Sequence, residues 1–217
     1  MQPAAFLPVR PRLIQFLVSC VVLGIGVGLL LRASLGSDGY STLVNGAAMS
    51  VGVPFFVMNA GVAAVFVAIA WLRGLPPGWS TIVQPVLVGF VINGVLVLVD
   101  GPDSLVLRTV LLVVAFPVVI AGVSGYLGSG AGAGPTEAAA LAFDPPVPFR
   151  WSYSVLQGGS ALIGWLLGAA IGPGTLLVIF LLGPAVDRVS ARVRFLDIHA
   201  SGLGRSSAPL PPVACER

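Results

Sequence analysis

Long apolar runs alternate along this chain with short stretches broken up by glycine, proline and small polar residues. The runs cover about 13–31, 54–72, 80–99, 105–126, 151–171 and 175–189. Most reach the roughly 20 residues a helix needs to cross a bilayer. Two stretches between them have a different character. One, 39–52, is peppered with Tyr40, Ser41, Thr42, Asn45, Gly46 and Ser50; the other, 135–143, lies between a glycine-rich run and D-P-P-V-P. At 1.5 Å per residue the first makes a helix of roughly 20 Å, short of the roughly 30 Å hydrocarbon core. Both read as re-entrant or half helices. Polar, irregular backbone at membrane depth is tolerated only where protein or a wet cavity surrounds it.

The predicted fold is therefore an all-α membrane protein. It has about six transmembrane helices plus two short re-entrant or half helices. Residues 1–12 form a polar lead, 13–99 and 105–190 two membrane units, and 191–217 a disordered tail. The first run is too long for a signal-peptide core and no small-residue cleavage site follows it, so it is expected to be retained. Gly24, Gly26 and Gly28 within it predict close helix packing. Pro117 predicts a kink or break in the fourth run. Trp79 is placed as an interfacial aromatic, and Trp151 and Tyr153 lie near one end of the fifth run.

The two units match one another. Gly36 pairs with Gly132 and Ser41 with Glu137 at an offset of 96. Pro54-Phe55 pairs with Pro148-Phe149, Gly78 with Gly172, Thr81 with Thr175, Gly89 with Gly183 and Asn93 with Asp187, all at 94. An ordered series of Gly, Pro-Phe, Thr, Gly and Asn/Asp points to duplication. Three crossings per unit make the repeats inverted, the arrangement of many transporters; four make them parallel. With six crossings and the N-terminus inside, only Arg32 and Arg108 fall outside. With eight, Arg73 and Arg108 exchange places. The positive-inside rule puts both termini in the cytoplasm either way, and segment length favours six.

Composition narrows the function. Hydrophobic residues make up 57% of the 217 positions and charged residues 9%, too little charge to cover a soluble surface. The chain is basic, but its positive residues are all Arg and flank apolar runs, which argues against nucleic acid. Cys20 and Cys215 make neither a disulfide nor a metal site, and His199 lies in the tail. No set for metal binding or nucleophilic catalysis is present, and the glycine-rich run lacks a P-loop lysine. No enzyme activity, metal or cofactor is expected.

Polar side chains at membrane depth carry the remaining signal, because an unpaired charge there costs at least about 2.5–3.5 kcal/mol. The candidates for a solute or ion site are Asp38, Ser41, Asn45, Gln84, Asn93, Glu137, Gln157 and Asp187, with Asn59 beside them. Gly36, Gly39, Gly132, Gly134 and Pro135 form the turn motif that sets them. Each has a structural alternative. Glu137 near a helix N-terminus also suits a cap, Asp187 beside Arg188 suits a surface pair, and Gln84 and Asn93 suit bridges between helices.

With its repetition, the order of an apolar span, an L-G motif, a span, a G-x-x-T turn and a span ending in Gly and Asn/Asp resembles the YczE/YyaS/YitT group of bacterial membrane proteins, most closely its YczE-like branch. The family motif resembles L-G-x-G-P-x-D. The second copy here keeps it in Gly132, Gly134, Pro135 and Glu137. The first departs, with Asp38, Gly39 and Ser41 in place of Gly, Pro and the acid. Gln157 stands where Glu is expected in many relatives. The resemblance implies a multi-pass protein of the bacterial inner membrane. The leading expectation is a small transporter or permease for a polar solute or ion, with Glu137 as proton or cation partner. The alternative is a non-transporting scaffold that serves a membrane partner protein or its own oligomer. Beyond the lipid bilayer and such a partner or solute, no nucleic acid is expected.

Overall fold

The computed structural model describes the backbone of residues 10–143, 146–147 and 149–192. The side chains of a few of these, Asp187 among them, lie outside the described residues, as do most of the lead, parts of the D-P-P-V-P turn and the tail. Eight helices follow one another: α1 Arg10–Ala33, α2 Gly39–Val51, α3 Phe55–Leu72, α4 Trp79–Leu98, α5 Leu105–Gly128, α6 Pro135–Leu141, α7 Phe149–Leu166 and α8 Pro173–Arg192. No strand occurs among the described residues. Helices α1, α3, α4 and α5 are long and apolar enough to cross a membrane, and α8 carries a shorter apolar helix, Pro173–Leu182.

The outer surface is apolar. Leu72, Phe90, Leu98, Val106, Val155 and Phe180 are among its exposed residues. That much bare hydrocarbon is foreign to a soluble monomer, and with the four long helices it fits an all-α membrane protein.

Helices α1 and α5 pack together at the centre. Phe16, Cys20, Leu23, Val27 and Leu30 of α1 are buried in one core with Leu112, Ala115, Val119 and Tyr126 of α5. Glycines bring the backbones close. A Cβ on Gly122 would sit 2.6 Å from the Leu23 Cα, and one on Gly26 2.8 Å from the Val119 nitrogen. Gly24 and Gly28 receive Val91 and Val95 of α4 instead. The every-second-residue spacing of α1 thus serves two neighbours at once. Trp79, half-buried at the start of α4, packs edge-on to the Phe16 ring with centroids 4.9 Å apart.

The short helices lie along long ones in defined directions. Gly39 of α2 abuts the backbone of Gln157 in α7, and seven residues on Gly46 abuts Gly164. Sequence numbers rise together, so α2 and α7 run parallel. Helix α6 packs on α3. Just past the α6 C-terminus, the Ala142 carbonyl accepts from Arg73 Nε at 3.4 Å, just past the α3 C-terminus. The Arg73 guanidinium also lies 4.6 Å from the centre of the Phe143 ring. These two helices end on the same side.

Of the kink or break expected at Pro117, the break does not occur: α5 is one continuous helix through it. One boundary differs from expectation. Helix α7 stops at Leu166 because Gly168 takes φ +97°. The Gly168 amide donates to Trp165 O and the Ala169 amide to Gly164 O, the paired bonds of a Schellman ending.

Candidate functional site

The chain between α1 and α2 descends into the protein without helical hydrogen bonds, and the N-termini of α4 and α8 secure the two loops of this kind. Gly174 at the start of α8 donates its amide to Leu35 O at 2.9 Å. Gly36 has φ +97°, and a Cβ there would collide with Thr175 and crowd the Gly172 amide. At the start of α4, Ser80 Oγ donates to Ala131 O at 2.6 Å and Thr81 Oγ1 to Ala133 O at 3.0 Å. Both loops therefore deliver a helix N-terminus to the interior.

Helix α2 opens with its orphan amides satisfied. Asp38 is the N-cap, and its Oδ2 accepts from the Ser41 amide at 2.9 Å. Gln157 Oε1, reaching from α7, accepts from the Tyr40 amide at 3.0 Å. Those are two of the four donors a helix start leaves unpaired. Gln157 then donates from Nε2 to the Tyr153 hydroxyl at 2.8 Å. Asp38 Oδ1 is buried and has no hydrogen-bond partner among the described residues.

Helix α6 opens at Gly134, with Pro135 in its first turn. Glu137 sits at the third helical position, where an acid favours the N-terminal end of the dipole. Its Oε1 accepts from the Tyr126 hydroxyl at 3.0 Å. A Cβ on Gly134 would fall 2.6 Å from Glu137 Oε2 and 3.1 Å from Gln84 Oε1, so carboxyl and amide converge at the start of α6.

These groups border a single cavity, with about 90 Å³ open to the centres of water-sized spheres. That is room for several waters or a small solute. Asp38, Ser41, Gln84, Glu137 and Gln157 line it together, drawn from α2 and the loop before it, α4, α6 and α7. Gly36, Gly39, Gly132, Gly134 and Pro135 shape its approach. Asn45 and Asn93 lie outside the lining. Asn45 Nδ2 faces Met49 Sδ at 3.5 Å, one turn further along α2. The Asp187 side chain is outside the described residues. Asn59 lines the cavity too, and its amide is spent on Pro85 O of α4, approached across Gly89.

The tyrosines are what residue-type reasoning passed over. The chain has three, and Tyr40, Tyr126 and Tyr153 all line the cavity. Three tyrosines, none of them on the outer apolar face, was the available signal, together with the Tyr153/Gln157 spacing of four that puts both on one helix face.

Chemically the site is lopsided. It offers two carboxyls, three phenols and several amides, and among the described residues no Arg, Lys or His lines it. The rest of the lining is largely hydrocarbon, including Leu23, Val27, Leu30, Ile92, Val119 and Val123. Among the described residues no group of three His, Cys, Asp or Glu is placed to hold a metal ion. No curated protein and no solved structure matches the chain. Its family does emerge from comparison with family models: residues 10–191 match, and the chain belongs to the family of unknown function DUF6198.

Proposed function

We propose that the protein is a small permease-like membrane protein that binds a polar solute or ion in the cavity between α2 and α6. The observation that carries this reading is the convergence of Asp38 and Glu137, from two different helix starts, on one buried cavity. Carboxyls at membrane depth are costly unless paired, cavity-facing or functional.

The directions of the helices support six crossings over eight. With eight, α2 and α7 would cross in opposite senses, and the ends of α3 and α6 would lie on opposite sides. Parallel α2 and α7, and the Arg73 contact with Ala142, fit half-helices that enter and return. The loop contacts support an inverted repeat. Gly174 on Leu35 and Ser80 on Ala131 are counterparts in the two units. The packing of α2 on α7 has its counterpart in α6 on α3, and that of α1 on α4 in α5 on α8. Sites at discontinuous helices near the repeat interface are the rule in such proteins. The resemblance to YczE-like proteins agrees with an inner-membrane location, and the distribution of arginines with cytoplasmic termini.

One observation favours the alternative of a non-transporting scaffold. Gln157, Asn59 and Glu137 each make hydrogen bonds between or within helices, as structural glue would. A solute-screened melting assay on purified protein in detergent separates the two. The permease reading expects a solute that raises the melting temperature of the parent and not of Glu137→Gln. If no solute shifts the parent while Glu137→Gln lowers its stability, the scaffold stands instead.

A further inference from the structure

The cavity lining combines polar and hydrocarbon side chains, and this mixture specifies more than a binding site. Resting on the permease reading above, we infer that its cargo is a small organic cation, an ammonium group carried on a short hydrocarbon body.

Charge selects the sign. Two carboxyls line the cavity, and among the described residues no basic side chain lines it with them. Tyr126 and the Ser41 amide each occupy one carboxyl oxygen. Asp38 Oδ1 is buried and accepts no hydrogen bond among the described residues. An anion entering here would meet both carboxyls. A neutral solute would leave the unpartnered oxygen to a weaker donor. An ammonium brings three N–H donors and no acceptor, which complements a site rich in acceptors. The phenol rings of Tyr40, Tyr126 and Tyr153 border the same space, and such rings attract cations through their faces.

The hydrocarbon lining selects the body. Leu23, Val27 and Leu30 of α1 face the cavity with Ile92 of α4 and Val119 and Val123 of α5. A bare inorganic ion needs oxygen ligands on all sides, and this lining offers none. A short alkyl chain would cover it and shed its own water.

The test is calorimetric titration of the purified full chain in detergent with four probes: butylammonium chloride, 1-pentanol, sodium pentanoate and sodium chloride. Butylammonium is expected to bind saturably, 1-pentanol at least tenfold more weakly, and pentanoate and sodium chloride not at all. Asp38→Asn should weaken butylammonium binding at least tenfold and still fold, because Asn is an equally good N-cap for the Ser41 amide. Glu137→Gln should do the same, and Gly158→Ala on the outer face should leave the affinity unchanged. Equal or tighter binding of pentanol, pentanoate or sodium chloride overturns the organic-cation assignment and leaves the permease reading standing. Absence of binding by all four probes overturns the assignment as well; the permease reading then falls only if the wider solute screen is also silent.

Discussion

Single residues decide whether this site closes. Gly39 is required by contact: a Cβ there lands on the Gln157 carbonyl. Gly39→Ala should force α2 away from α7 and cost about 1–3 kcal/mol, the usual range for overpacking. Gly158 and Gly159 on the outer face of α7 have nothing within 4 Å. Alanine at either should stabilise by about 0.5–1 kcal/mol, because a helix interior disfavours glycine. Thermal melting of the three variants side by side checks the contrast, and equal effects would mean that α2 and α7 are not in backbone contact. Gln157→Leu removes the acceptor of the Tyr40 amide and the donor to Tyr153 together. It should cost about 1–3 kcal/mol through the stranded donor, again read by melting. A neutral result would show that the start of α2 is wet rather than capped by α7. Tyr126→Phe leaves shape intact and takes away only the hydroxyl that Glu137 accepts. It should cost about 1–2 kcal/mol, less than Gly39→Ala in the same assay if packing outweighs this one bond.

At the scale of elements, the half-helices are defined by what holds their ends. Helix α2 has 13 residues and α6 has 7, lengths of roughly 20 and 10 Å, neither of which spans the hydrocarbon core. On the six-crossing reading proposed above, each returns to the side it came from. Cysteines at position 101 after α4 and position 74 after α3, in a Cys215→Ser background, read this out with an impermeant thiol reagent. Cys20 is buried and stays silent. Labelling of Gly101→Cys from the periplasm and of Gly74→Cys only from the cytoplasm is expected. The reverse pattern would mean eight crossings. Most of these elements were legible in sequence, because helix starts and stops are chemically explicit: Asp38 before α2, Pro135 opening α6, Arg73-Gly74 after α3. The extent of α7 was less so. Its apolar run continues to Ile171, and only the left-handed conformation of Gly168 ends the helix earlier.

For the whole molecule, the apolar exterior and the polar cavity form one arrangement. Carboxyls, amides and phenols from α2, α4, α5, α6 and α7 are gathered around that cavity within an apolar core, and further valines and leucines cover the outside. Half of the site was readable from residue type: Asp38, Ser41, Gln84, Glu137 and Gln157 are conspicuous in an apolar chain. Asn45 was equally conspicuous and lies off the cavity, because one more turn of α2 carries it past the lining. Polar character along a chain does not encode which way a half-helix faces. The tyrosines escaped for the opposite reason: an aromatic ring near the end of an apolar run also suits an interface, and only the packing of Tyr126 against Glu137 distinguishes the two. The central claim is that this cavity admits a solute across the bilayer. It is tested most directly by uptake of a solute that stabilises the detergent-purified protein into liposomes containing that protein. The account predicts saturable uptake that Glu137→Gln abolishes while the variant remains folded and correctly inserted. Uptake no faster than into protein-free liposomes, or uptake undiminished in Glu137→Gln, would contradict it.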